Sequence, residues 1–191
     1  MLQHKFQYRA SADLQEMFKG VNKFSTLVNK IKKLSEKNSS KYNPDKYKGD
    51  AFEFFVELFL NAFKYDNRIG ISSYAPVQDN DNGVDGVGLN FDGKKSVVQC
   101  KFRSDASQLL TNNQDHLGNM VTDGILQHQV LPIESVTDTP RHYVFTTAKG
   151  MHHYTDADFF KGKVKCIGYD GFKTMLDDNI NFWDYCRAAV A

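Results

Sequence analysis

The chain has 191 residues, 41% hydrophobic and 25% charged, enough apolar material for one ordinary soluble domain. No run of about 18 apolar residues excludes a membrane-spanning helix, and the start "MLQHKFQYRA" lacks the apolar stretch of a secretory signal. Cys100, Cys166 and Cys186 are scattered and form no C-x-x-C, which disfavours a disulfide scaffold and a structural zinc site and points to the reducing cytoplasm.

The net charge of +1 conceals an asymmetry: residues 1–48 hold 11 Lys/Arg against 4 Asp/Glu, and residues 49–191 hold 13 against 19. Lys30, Lys32, Lys33 and Lys37 alternate with Phe24, Leu27, Val28, Ile31 and Leu34 at helical spacing, so a basic amphipathic helix is expected from about Ser25 to Glu36. Such a helix is either a packed helix with a solvated lysine face or an arm directed at a polyanion. Segment 38–49, "NSSKYNPDKYKG", reads as a linker, which divides the chain into an arm and linker (1–47) and a main domain (48–191).

Asp50 is expected to cap a buried helix, "AFEFFVELFLNAF", apolar around nearly its whole circumference. A strand in 68–78 and a polar loop, "DNDNG", precede two strands, 84–91 and 95–102, joined at Asp92-Gly93. A polar helical stretch follows from Asp105 to about His128, then strands at 141–148 and 163–168, then one or two helices from Gly171 to Ala189. This order predicts an α/β domain with a central mixed sheet of about five strands flanked by helices.

The strand "VVQCKF" carries an amide and an ammonium in an apolar run, and an unpaired buried charge is costly. Alternation puts Gln99 and Lys101 on one face, about 7 Å apart. A two-residue turn at Asp92-Gly93 would pair Asp85 with Cys100. A three-residue loop, Phe91-Asp92-Gly93, would pair it with Gln99 and bring Asp85 to that face.

"GVDG", followed after a hairpin by "VVQCKF" and preceded by a helix containing "AFE", resembles the PD-(D/E)XK nuclease superfamily over residues 48–170. The likeness is greatest to its Mrr-like restriction endonuclease branch, in which glutamine replaces the usual acidic residue; "YVFTTA" is similar to that branch too. The resemblance implies a restriction-endonuclease-like αβββαβ core. It implies that Asp85 ligates a metal, Gln99 holds the second ligand position, and Lys101 is the catalytic lysine. Glu53 would complete the site from the helix, and the Cys100 main-chain carbonyl would add an oxygen. Mg²⁺, with Mn²⁺ able to substitute, prefers such oxygen donors.

Each residue also has an ordinary explanation. "DAFE" reads as a capping box for Glu53, with Glu57 one turn later; Asp85 is a turn residue before Gly86; the Lys101 stem can snorkel. Asp79, Asp81 and Asp85 do not make a calcium loop, because Val84 stands where its glycine belongs and Asn90 where its glutamate belongs. His152-His153 is not accompanied by a cluster of metal-ligand residues in the sequence, and the Gly-x-Gly of "DGVGLN" lacks the helix that a phosphate loop needs.

The expected function is therefore a metal-dependent DNA endonuclease of restriction or phage-related type. Lys30, Lys32, Lys33 and Lys37 would contact the DNA backbone, with Arg103 and Lys149 nearer the cleft. The alternatives are a nuclease module of a larger helicase or restriction machine and a catalytically impaired DNA-binding module. No membrane partner is expected, and cutting both strands would call for a homodimer.

Overall fold

A computed structural model describes residues 11–77, 83–131, 139–152 and 164–191. Three helices come first: α1 (Ser11–Phe18), α2 (Phe24–Lys37) and α3 (Pro44–Ala62). Strands β1 (Ile71–Pro76), β2 (Gly86–Asn90) and β3 (Lys95–Lys101) follow. Then come β4 (Leu109–Leu110), α4 (Asn112–Asp115), α5 (Leu117–Leu126), β5 (His142–Thr146), β6 (Gly150–Met151) and β7 (Val164–Ile167). Helices α6 (Tyr169–Leu176) and α7 (Ile180–Ala189) end the chain.

The main sheet has the order β1-β2-β3-β5-β7. Its first three strands are antiparallel neighbours, and β5 and β7 run parallel to β3 and β5. The architecture is α/β, a five-stranded mixed sheet flanked by helices. Strands β3 and β5 are covered on both sides, which is why they read as nearly continuous apolar runs. Val98, Cys100, Tyr143 and Phe145 join α1–α3, α6 and α7 in one cluster, whereas Val97 and Val144 join α5 in the other. Phe55, Phe59 and Phe172 form the aromatic centre of the larger cluster, with ring centroids 5.0–6.2 Å apart. Among the described residues no helix is long and apolar enough to cross a membrane.

Three local expectations differ from the structure. The basic helix is present, but its Phe24, Leu27, Val28, Ile31 and Leu34 are buried in the same cluster as α3, so residues 11–37 are part of the core instead of an arm beside it. An apolar stripe of that width needs a partner, and α3, apolar on all sides, supplies one. The carboxyl-terminal segment closes over this packing: Asp177 Oδ1 accepts from Phe24 N at 2.8 Å, and Arg187 Nη1 donates to Val21 O at 2.9 Å.

The expected division at 47/48 falls inside α3, whose N-cap is Asn43 and not Asp50. The Asn43 side chain accepts from Asp45 N and Lys46 N, with Pro44 in the first turn. Asp50 is a buried residue within the helix, 3.3 Å from Lys46 Nζ, so the capping-box explanation of Glu53 no longer holds. Finally, the expected helix 105–128 is broken into β4, α4 and α5. His116 adopts a left-handed conformation (φ 53°) after α4, and residues 109–110 pair with β6.

Candidate functional site

The β2–β3 hairpin closes through Phe91-Asp92-Gly93. Asn90 N donates to Lys94 O at 2.9 Å, Gly93 takes φ +70°, and Asn90 Oδ1 accepts from Asp92 N and Lys94 N at 3.0 and 2.9 Å. The three-residue loop, and not the two-residue turn, is therefore the one formed. Its register runs from Leu89↔Lys95 to Gly86↔Val98, and the next residue, Asp85, still bonds Val98 instead of pairing with Gln99. Asp85 is fixed from both sides: its N donates to Val98 O at 2.8 Å, and its O accepts from Val77 N at 3.0 Å. Its carboxylate Oδ2 accepts from Cys100 N at 2.6 Å, a short charge-assisted bond that orients the group across β3.

Gln99 is 1% exposed, and its Oε1 is buried without a hydrogen-bond partner among the described residues. Lys101, half-buried, ends β3. Its carbonyl accepts from Thr146 Oγ1 at 2.8 Å and Thr147 N at 3.2 Å, while Thr147 Oγ1 accepts from Arg103 N at 2.6 Å and donates to Arg103 O at 2.8 Å. The Thr-Thr pair thus clamps the exit of β3.

Glu53 comes from α3, whose Phe52 ring meets Phe102 edge-on at 6.2 Å. Burial pushes the Cys100 thiol well above its ordinary pKa; the charges of Asp85 and Glu53 push the same way, and Lys101 opposes them. Three of the expected residues therefore act on one buried atom. They do not all share a face. By alternation Gln99 and Lys101 lie on the Val97 side, whereas α3 packs on the Val98–Cys100 side, so Glu53 approaches from across the strand.

Among the described residues no group of three or more His, Cys, Asp or Glu could hold a metal. The expected donor set has only two carboxylates, with an amide oxygen and a main-chain carbonyl as the others. These are hard oxygens suited to Mg²⁺ or Mn²⁺, and Gln99 Oε1 is buried without a partner among the described residues, as a donor reserved for such an ion would be.

A cleft of about 460 Å³ opens at the end of β3 between Asp45, Lys48 and Gly49 of α3 and Lys101, Arg103 and Ser104. Lys48 Nζ lies 2.7 Å from Asp45 Oδ1. Hydrogen bonding from Lys48 and its charge, with Arg103 adding, hold the Asp45 carboxyl below the usual range. Lys32 reaches the rim, donating to Ser104 O at 2.6 Å. Arg103 is engaged by the buried Asp115 and by Phe102 O at 2.8 Å. Lys30 turns to α1, donating to Glu16 O at 2.9 Å, while Lys33, Lys37 and Lys149 are exposed. Asp79, Asp81 and His153 lie outside the described residues.

Sequence reasoning missed Lys48, Asp115 and the work of Thr146 and Thr147. The Thr pair was visible as a polar end to an apolar strand. Asp115 gave no signal, because its partner Arg103 meets it only after α4 turns back. No protein-family profile matches the chain, and no curated protein matches it.

Proposed function

We propose that the chain is a metal-dependent DNA endonuclease domain of the PD-(D/E)XK type, close to the Mrr-like variant, hydrolysing phosphodiester bonds in a restriction or phage-related setting. The observation that carries this is the three-residue hairpin loop with the Asp85–Cys100 hydrogen bond, which ties the Asp85 carboxylate to the strand that bears Gln99 and Lys101. The order of α3, β1–β3, α5 and β5 gives an α/β frame, whose core we read as restriction-endonuclease-like. The three free cysteines suit a reducing cytoplasm.

A divalent cation held by Asp85, Gln99, the Cys100 carbonyl and Glu53 would supply Lewis acidity toward the phosphodiester. Asp85 is oriented for this by the Cys100 N–H. The Lys101 ammonium orients the attacking water and offsets charge that develops on the phosphate oxygens. Lys48, Lys101 and Lys32 give the cleft a cationic rim that draws an anionic backbone past the carboxylates. Such contacts set affinity and salt dependence, not sequence choice. Cleavage of both strands would use two copies, and the domain could equally serve inside a larger helicase or restriction machine.

Gln99 favours a second reading, a DNA-binding module with impaired catalysis, since an amide brings one negative charge fewer than a carboxylate. Incubating the protein with supercoiled plasmid and Mg²⁺ or Mn²⁺, with an EDTA control, separates the two. Nicking or linearisation that EDTA stops is expected, and Asp85→Ala and Lys101→Ala should lose it by at least about a hundredfold. Binding without cutting identifies the module, and cutting by either variant at the parent rate refutes the site.

A further inference from the structure

Arg103 lies just beyond Lys101, the end of β3, and both its main chain and its side chain are held in place. Thr147 Oγ1 accepts from Arg103 N at 2.6 Å and donates to Arg103 O at 2.8 Å. The guanidinium donates through Nη1 to Phe102 O at 2.8 Å and through Nη2 to Asp115 Oδ1. These bonds use one N–H of each terminal nitrogen. The Nε–H and the second N–H of each terminal nitrogen have no partner among the described residues.

Asp115 is equally fixed. Its Oδ2 accepts from Thr111 N at 2.6 Å, and its own N donates to Thr111 O at 2.9 Å. His116, the next residue, ends α4 at φ 53°, a strained conformation for a residue other than glycine. The Asp115 side chain is wholly buried, whereas that of Arg103 is 27% exposed. Arg103, and not Asp115, lines the cleft at the end of β3, together with Lys48 and Lys101, and Lys32 reaches the rim. A cleft lined by one sign of charge concentrates ligands of the other. A guanidinium whose fork is already held still matches a phosphate through two N–H bonds and has little side-chain entropy left to lose.

We propose that Asp115 is a positioning residue for nucleic-acid binding: it holds the Arg103 fork in the cleft, where the free N–H groups grip a backbone phosphate beside the one that Lys101 serves. This rests on the nuclease reading of Lys101.

The test is the binding of a short fluorescent DNA duplex to the full chain in EDTA, read by anisotropy over a series of salt concentrations, for the parent, Asp115→Asn and Arg103→Lys. Asp115→Asn removes a negative charge, so charge alone would tighten binding to a polyanion; release of the fork should instead weaken it about tenfold. Arg103→Lys keeps the charge, so the salt slope should stay at the parent's value while affinity falls about tenfold. Asp115→Asn that binds as tightly as the parent, or more tightly, overturns the proposal. So does Arg103→Lys at the parent's affinity, and that variant decides the matter if Asp115→Asn does not fold. Plasmid nicking by the parent with Mn²⁺ reads the nuclease assignment separately. Nicking by the parent, with all three proteins binding alike, removes the role of Asp115 and leaves that assignment standing. A parent that neither binds nor nicks overturns both.

Discussion

In the nuclease reading, Gln99 is the residue on which the chemistry turns, since it stands buried where a second carboxylate would be the stronger ligand. Gln99→Glu should separate stability from affinity. Without a cation, a second buried carboxylate beside Asp85 should cost about 2 kcal/mol in denaturant unfolding. With Mn²⁺ that cost should be recovered, and the half-saturating concentration should fall on the order of tenfold, about 1.4 kcal/mol. Calorimetric titration measures the second effect, and an unchanged midpoint would show that residue 99 does not touch the ion. His142 gives a prediction of a different kind. It is 1% exposed, its Nε2 has no partner among the described residues, and burial, with Arg141 adding, lowers its pKa to about 4. The unfolded chain therefore binds the proton first. The stability that neutral His142 allows is whole above about pH 6.5, declines as pH falls toward 4, and is level below that, a loss of about 3 kcal/mol. Urea midpoints at pH 7 and pH 4.5 should differ less in His142→Gln than in the parent.

At the scale of elements, α2 has a buried apolar face and an exposed lysine face. Leu27→Ala should destabilise the whole chain by about 2–5 kcal/mol, because Leu27 is fully buried in the main cluster. Lys33→Ala with Lys37→Ala should leave the melting temperature nearly unchanged. In the nuclease reading it should also flatten the salt dependence of DNA binding, by about one unit of log–log slope for each phosphate no longer neutralised. An apolar stripe shows itself in sequence as periodicity, so the existence of α2 was legible. What the stripe packs against was not, because its partner α3 is named by contact and not by pattern. The hairpin was legible to the same depth. "FDG" allowed two loops, and the choice was made by Asn90, whose side chain accepts from Asp92 and Lys94 and favours the longer one. The start of α3 was misjudged by one helical segment because Asn43-Pro44 is a stronger capping signal than Asp50, yet it sat inside a run that read as linker.

Over the whole molecule, a mixed sheet of about five strands flanked by helices was legible as apolar runs bounded by turns, whereas the strand order and the two-sided burial of β3 and β5 came only with the fold. The candidate site was legible as a set of residues, Asp85, Gln99 and Lys101 on consecutive strands. The cleft at the end of β3, which Lys101 lines, was not, because Lys48, Arg103 and Ser104 come from segments brought together only by the fold. The same limit explains Glu53. Its helix was evident, but which side of β3 it reaches depends on α3 packing over Val98 and Cys100.

The hairpin also bears on how the chain reaches this arrangement. Strand β3 has a neighbour from the same hairpin on one side and a parallel partner on the other, where the Thr146–Lys101 bond joins residues 45 apart. Hairpins form in about 1–10 μs, whereas parallel pairing must first close a long loop against chain entropy. Asp85 is therefore brought against β3 early and locally, by three loop residues. The threonine clamp on Lys101 arrives with the slower, long-range step, so the exit of β3 is fixed after the hairpin has formed.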